Sequence, residues 1–126
     1  MRAGAAIFLL VMLSASRPTA WVIDGDTIDV RGERVRVANL DAPDVGSHAK
    51  CPLEERRGRA AKAYAIRLVR GTGQIGLADR QGEDRYGRTL ARVTLDGADF
   101  AGLMIEAGHG RPWRGRSSNW CVADAN

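Results

Sequence analysis

Three short blocks carry the side chains best able to do chemistry: Asp24-Gly25-Asp26-Thr27, the run from Arg36 to Asp41-Ala42-Pro43-Asp44, and Asp84-Arg85-Tyr86-Gly87-Arg88. Carboxylates offer hard oxygens to a divalent cation, and guanidinium groups grip a phosphate through paired hydrogen bonds. The combination suits hydrolysis of a phosphodiester and points to nucleic acid as the substrate class. No block could do this alone, so the fold must bring all three to one surface.

The elements that would do so are legible in the hydrophobic periods. Trp21-Val22-Ile23 leads into the first block, Thr27 to Val30 alternates apolar and polar residues, Arg31-Gly32-Glu33 turns the chain, and Arg34 to Ala38 alternates again. This predicts a hairpin of half-buried strands with Val35 and Val37 inward and Arg34, Arg36 and Ala38 on the other face. From Leu53 to Arg70 the period changes. Ala61, Tyr64, Ala65, Leu68 and Val69 share one helical face, Glu54, Arg57, Lys62 and Arg67 fall largely elsewhere, and the helix ends near Gly71. Short strands follow at Gln74 to Leu77 and Leu90 to Leu95, with a turn at Gly82 to Asp84 between them. Asp99 can cap a second, shorter helix over Phe100 to Ala107, which Gly108 would end in a left-handed turn. One helix between the third and fourth strands and a second near the end give an α+β, mainly β, class. The pattern fits a small closed barrel of the oligonucleotide-binding (OB) kind better than a parallel sheet.

Two other patterns fail on context. Gly71-Thr72-Gly73-Gln74-Ile75-Gly76 spells a dinucleotide fingerprint but closes a helix and opens a strand, the reverse of what that motif requires. Asp24, Asp26 and Asp29 begin like a calcium loop of the helix-loop-helix type. Asp29 and Val35 stand where that loop needs glycine and glutamate.

Ile23 to Ile28, Val35 to Pro43 and Asp84 to Leu90, in that order with a helix between the second and third, resemble the staphylococcal nuclease (thermonuclease) family over about residues 21 to 121. The resemblance implies a five-stranded OB barrel and a calcium ion held by Asp26, Asp41 and the carbonyl of Ala42. It also implies Arg36 and Arg88 on the substrate phosphate, with Tyr86 beside them and Arg85 adjacent in the same block. Where the family places a glutamate to act on the nucleophilic water, this chain has Asp44, about 1.5 Å shorter in reach. Asp24 is read as bonding turn amides around Gly25 rather than metal. Arg85 could equally be a solvated strand-end charge, and Tyr86 could serve packing or recognition. The long C-terminal helix of the best-known member is missing, as in shorter exported bacterial members, and the chain reads as complete.

Arg2 followed by the apolar run Ala3 to Leu13 and by Ser14-Ala15-Ser16 matches a secretory leader, with cleavage after Ser16 or Ala20. The run falls short of the roughly 20 apolar residues of a membrane span. The expectation is a leader over residues 1–20 and one domain over 21–126, exported to a periplasm or beyond the cell as a monomer. Removing the leader changes 19 basic against 15 acidic residues into 17 against 15, so the charge falls from +4 to +2. Only Lys50 and Lys62 of those basic residues are lysines. The arginine excess suits planar contact with phosphate, and genome composition would produce it equally well. An even pair of cysteines, Cys51 and Cys121, favours a disulfide in an exported chain. The alternative is a zinc site with His48 and His109, for which the spacing of His109 and Cys121 is too long in a compact finger. The functional expectation is a calcium-dependent nuclease cutting DNA and RNA with little sequence preference. The alternative is a nuclease-like barrel that binds nucleic acid or serves as an envelope scaffold without efficient hydrolysis, using its basic groove and Tyr86, Trp113 and Trp120.

Overall fold

The computed structural model describes residues 3–10 and 19–123; the cleavage position after Ser16 lies outside them. Residues 3–10 have no regular structure, and Ile7, Phe8, Leu9 and Leu10 are exposed. Among the described residues no helix is long and apolar enough to cross a membrane.

Three antiparallel strands come first: β1 (Ala20–Asp24), β2 (Thr27–Val30) and β3 (Glu33–Val37). Alternation decides their faces, since Val35 and Val37 are fully buried while Arg34 is exposed and Arg36 half-buried. The two-residue β4 (Leu40–Asp41) precedes the helix α1 (Pro52–Arg70). The strands β5 (Ile75–Ala78), β6 (Thr89–Leu95) and β7 (Ala98–Asp99) follow, then α2 (Phe100–Glu106) and β8 (Arg111–Pro112). Asp99 caps α2 by accepting from Gly102 N at 3.1 Å, and Gly108 is left-handed with φ 79°.

The main sheet runs β1-β2-β3-β6-β5, with β7 added to β6, and β4 pairs with β8 separately. On the five-strand path α1 does fall between the third and fourth strands in chain order. The sheet is mixed, however. The crossover through α1 and β5 returns β6 parallel to β3, while the other pairings of this sheet are antiparallel. The β4–β8 pair is also additional, for a two-residue strand shows no alternation to read. Burial gathers Ile28, Val30, Val35, Val37, Leu40, Val93, Phe100 and Met104 into one core, against which α1 lays Ala61 and Ala65.

One position on the helix departs from its hydrophobic pattern. Glu54 is 3% exposed rather than on the solvent face. Its carboxylate accepts from the backbone N–H of Asp44 at 3.0 Å and of Lys50 at 2.9 Å. Four residues later in the same helix, Gly58 leaves room for the loop it holds, because a Cβ there would overlap the carbonyl group of Asp44. The start of α1 is therefore a clamp on the Asp44 loop.

A disulfide joins Cys51, the N-cap of α1, to Cys121, with Cα atoms 6.0 Å apart. Both sulfurs are thereby removed as zinc ligands. Beside it, Arg57 donates to the carbonyls of Trp120, Val122 and Ala123 at 3.0, 2.8 and 2.6 Å. These bonds and the β4–β8 pairing fix the irregular tail to the domain.

Candidate active site

All three blocks line one open cleft of about 650 Å³. Asp24 and Asp26 come from the β1–β2 turn, Arg36 from β3, Asp41 from β4, Asp44 from the loop held by Glu54, and Arg85, Tyr86 and Arg88 from the loop before β6. Arg34, His48, Trp113 and Ser117 lie on the same wall.

Asp26 and Asp41 are 6% and 3% exposed. One oxygen of Asp26 accepts from Ala42 N at 3.0 Å and faces Arg36 Nη2 at 3.4 Å, which ties the first block to the second. Asp24 accepts from Asp26 N at 3.2 Å, the turn role expected of it. Burial, opposed by Arg36 and reinforced by Asp24, pushes the Asp26 carboxyl up to about 7. Asp41 accepts from the backbone N–H of Ser118 at 2.6 Å. That bond comes from the tail, and no pattern in the sequence announced it.

Asp26 contributes a defined pH dependence. Its folded value of about 7 lies above the ordinary 3.8, so between them the folded chain holds a proton that the unfolded chain releases. Stability contributed by this group therefore declines as pH rises from about 4 to about 7. In metal-free buffer, the difference in denaturant midpoint between pH 5 and pH 8 is expected to shrink in Asp26→Asn. An unchanged difference would mean that the buried acid does not titrate in this window.

Arg36 is held rigidly. Nη1 donates to the carbonyls of Val37 at 2.5 Å and Leu40 at 2.7 Å, and the guanidinium lies 5.4 Å from the centre of the Trp113 ring. Among the described residues, Nε and the second Nη2 hydrogen have no hydrogen-bond partner and remain for a ligand. Arg88 is held by Asp84, which accepts its Nε–H at 2.6 Å and its backbone N–H at 2.9 Å. Asp84 also accepts from Tyr86 N at 2.9 Å, around a turn that needs the left-handed Gly87 with φ 77°. Although burial raises the Asp84 carboxyl, the bonds from Arg88 and Tyr86 outweigh it and hold the group below its usual value. The spacing of its block does not by itself reveal this anchoring role of Asp84.

Tyr86 is 68% exposed. Arg85 and Arg88 lie 4.9 and 5.4 Å from its ring centre, and Arg85 faces the cleft. Burial, with Glu54, Asp24 and Asp41 adding to it and His48 opposing it, raises the Asp44 carboxyl.

The donor set suits a hard divalent cation in chemistry. Asp26 and Asp41 are two buried carboxylates, one kept short of charge by its surroundings, and the Ala42 carbonyl sits between the second block's acids in sequence. Among the described residues no group of three or more His, Cys, Asp or Glu side chains forms a metal cage. Such an ion would rest on two carboxylates and complete its shell from elsewhere.

A mixed sheet presenting carboxylates and arginines in one cleft has the makings of a nuclease-type domain. The model for the staphylococcal nuclease homologue family matches residues 34–120, and the chain belongs to that family. The match begins after the first acidic block. The chain is 34% identical over 99 residues to the succinoglycan biosynthesis protein ExoI of Rhizobium meliloti, covering 71% of this chain and 48% of that protein. It is 37% identical over 112 residues to the protein ParB of Escherichia coli, covering 76% and 54%. With the thermonuclease of Staphylococcus intermedius it shares 34% identity over 94 residues, covering 71% and 55%. The chain thus spans about half the length of these curated relatives.

Proposed function

We propose that this protein is an exported, calcium-dependent nuclease that hydrolyses the phosphodiester bonds of DNA and RNA with little sequence preference. The observation that carries this reading is the meeting of three separated sequence blocks in one cleft, with Asp26, Asp41 and Asp44 facing the same space as Arg36 and Arg88. Asp26, Asp41 and the Ala42 carbonyl would hold the calcium ion. When bound, the ion supplies positive charge to a phosphate oxygen and orientation to the attacking water.

The chain's own groups do the rest. Arg36 and Arg88, each fixed by backbone or by Asp84, present N–H donors where charge grows on the five-coordinate phosphorus. Asp44 takes the proton of the attacking water, and its raised affinity for a proton favours that role. Tyr86 and Arg85 line the approach of the strand. The OB barrel belongs to this proposal, supported by the five-strand path. So do the leader over residues 1–20, the domain over 21–126 and a monomeric state. Export is supported by the apolar run near the N-terminus and by the disulfide, which needs an oxidising compartment.

The test is cleavage of single-stranded DNA, duplex DNA and RNA by the purified protein, in calcium and then in excess chelator, beside Asp44→Glu. Cleavage that needs calcium supports the nuclease reading, and a faster Asp44→Glu assigns the rate limit to the short carboxylate. Silence of both proteins would overturn the site assignment. Cleavage by Asp44→Glu alone would make the natural protein a binding module. Asp84→Asn tests the grip on Arg88. Loss of one charge-assisted bond is expected to lower kcat/KM by about tenfold, with little change in thermal midpoint because the loop is largely exposed. Unaltered kinetics would remove Asp84 from the positioning of Arg88.

A further inference from the structure

Beyond the cleft, the tail encloses a second open pocket of about 690 Å³, lined by Arg111, Pro112, Arg114, Arg116 and the segment Ser117–Asn119. Its chemistry differs from that of the cleft. Three arginines, two serines and an asparagine line it, with no acidic side chain, whereas the cleft sets acids against arginines. Arg111 is already engaged, 4.4 Å from the Trp120 ring centre. Arg114 and Arg116 are exposed and have no ion-pair or hydrogen-bond partner among the described residues.

Two long cations left unpaired two residues apart in sequence repel each other, and an anion relieves that repulsion. The pocket's backbone is held from both sides. β8 pairs with β4 before it, while the Cys51–Cys121 disulfide and the Arg57 bonds follow it. Ser118 N is anchored in between on Asp41. The two guanidinium groups therefore stand on prearranged backbone rather than on a loose terminus.

The pocket also adjoins the cleft. Ser117 lines both, and Trp113, which lines the cleft, stands between Pro112 and Arg114, which line the pocket. We infer that Arg114 and Arg116 form a phosphate-binding subsite outside the catalytic cleft, where the backbone of a polynucleotide strand is held after it leaves the cleft. This extends the nuclease reading and rests on it for the identity of the strand. A long substrate would gain contacts there, and a substrate with a single phosphodiester would not reach them.

The experiment uses the full disulfide-bonded protein and the variant Arg114→Ala/Arg116→Ala. Binding of a fluorescent single-stranded oligonucleotide is measured against salt in chelator, so that no cleavage is needed. Loss of two phosphate contacts is expected to reduce the slope of log affinity against log salt by about 1.4. In calcium, KM for a long single strand is expected to rise about tenfold, while hydrolysis of a nitrophenyl ester of a nucleoside monophosphate stays as in the wild type. A double variant that matches the wild type in slope and KM overturns the subsite and leaves the nuclease reading intact. If the wild type cleaves nothing, the nuclease reading fails, and the slope measured in chelator still decides for or against the subsite. An equal loss of binding to dextran sulfate, a polyanion without phosphate, would overturn the assignment to a nucleic-acid backbone in favour of a general anion pocket.

Discussion

Replacing Arg36 with alanine is expected to lower kcat/KM for phosphodiester cleavage by about 10²- to 10³-fold, the cost of removing one prearranged donor from a developing negative charge. The size of the effect follows from how the side chain is held. Nη1 is committed to the carbonyls of Val37 and Leu40, so the remaining donors keep a fixed direction and need no reorganisation as charge grows. Lysine cannot reproduce this. A single ammonium on a flexible stem cannot satisfy two backbone carbonyls and a phosphate in the same geometry, so Arg36→Lys is expected to recover less than a tenth of the activity.

Arg36 also has a structural share, which must be separated from catalysis. The alanine variant leaves two carbonyls without their donor, at a cost of about 1–3 kcal/mol. It also removes the positive charge facing Asp26 at 3.4 Å. Rates should therefore be referred to the folded fraction at each pH. Without Arg36 the Asp26 carboxyl rises further, because that guanidinium is the main influence holding it down. If the variant cleaves normally after this correction, Arg36 is a strand-end brace and not a catalytic group.

The parts of the molecule legible in the sequence are those in which side chains carry a period or a family spacing. Val35 and Val37 alternate with Arg34 and Arg36, and the sheet obeys. Ala61 and Ala65 mark the buried face of α1, and Asp99 caps α2 as its type and position foretold. The three chemical blocks met in one cleft because each was anchored to a legible element. What escaped was carried by backbone. Ser118 reaches Asp41 through its amide, which any residue but proline could offer. The Arg111–Pro112 strand is too short to alternate.

Glu54 is the instructive failure. On the helical wheel it falls away from the apolar stripe, but at the first turn of a helix a carboxylate can turn back toward the preceding loop. It is buried there by two amide donors. Its signal was local: it lies three residues after the N-cap Cys51, the spacing at which an acidic side chain meets amides at a helix start. Hydrophobic period and capping position gave opposite answers, and the cap decided.

The tail makes the disulfide the other large determinant. The pair Cys51→Ser/Cys121→Ser is expected to lose about 4 kcal/mol of stability, the chain-entropy value for a cross-link between residues 70 apart. For a domain whose total stability is of order 5–15 kcal/mol, that is a large fraction. Serine is the informative replacement, because Cys51 caps α1 by accepting from Glu54 N at 3.3 Å and a hydroxyl can keep that role. The measured loss then belongs to the cross-link and not to the cap. Its effect should not stay global. The freed end takes with it the residues on which Arg57 closes, and it loosens the segment from which Ser118 bonds Asp41. Cleavage referred to the folded fraction should therefore fall as well, and the salt slope of strand binding should move toward that of the Arg114→Ala/Arg116→Ala variant. A denaturation midpoint unchanged by the double serine variant would show that the Arg57 bonds and the β4–β8 pair hold the tail by themselves. A lowered midpoint with unaltered folded-state cleavage would show that the disulfide supports the domain without supporting the site.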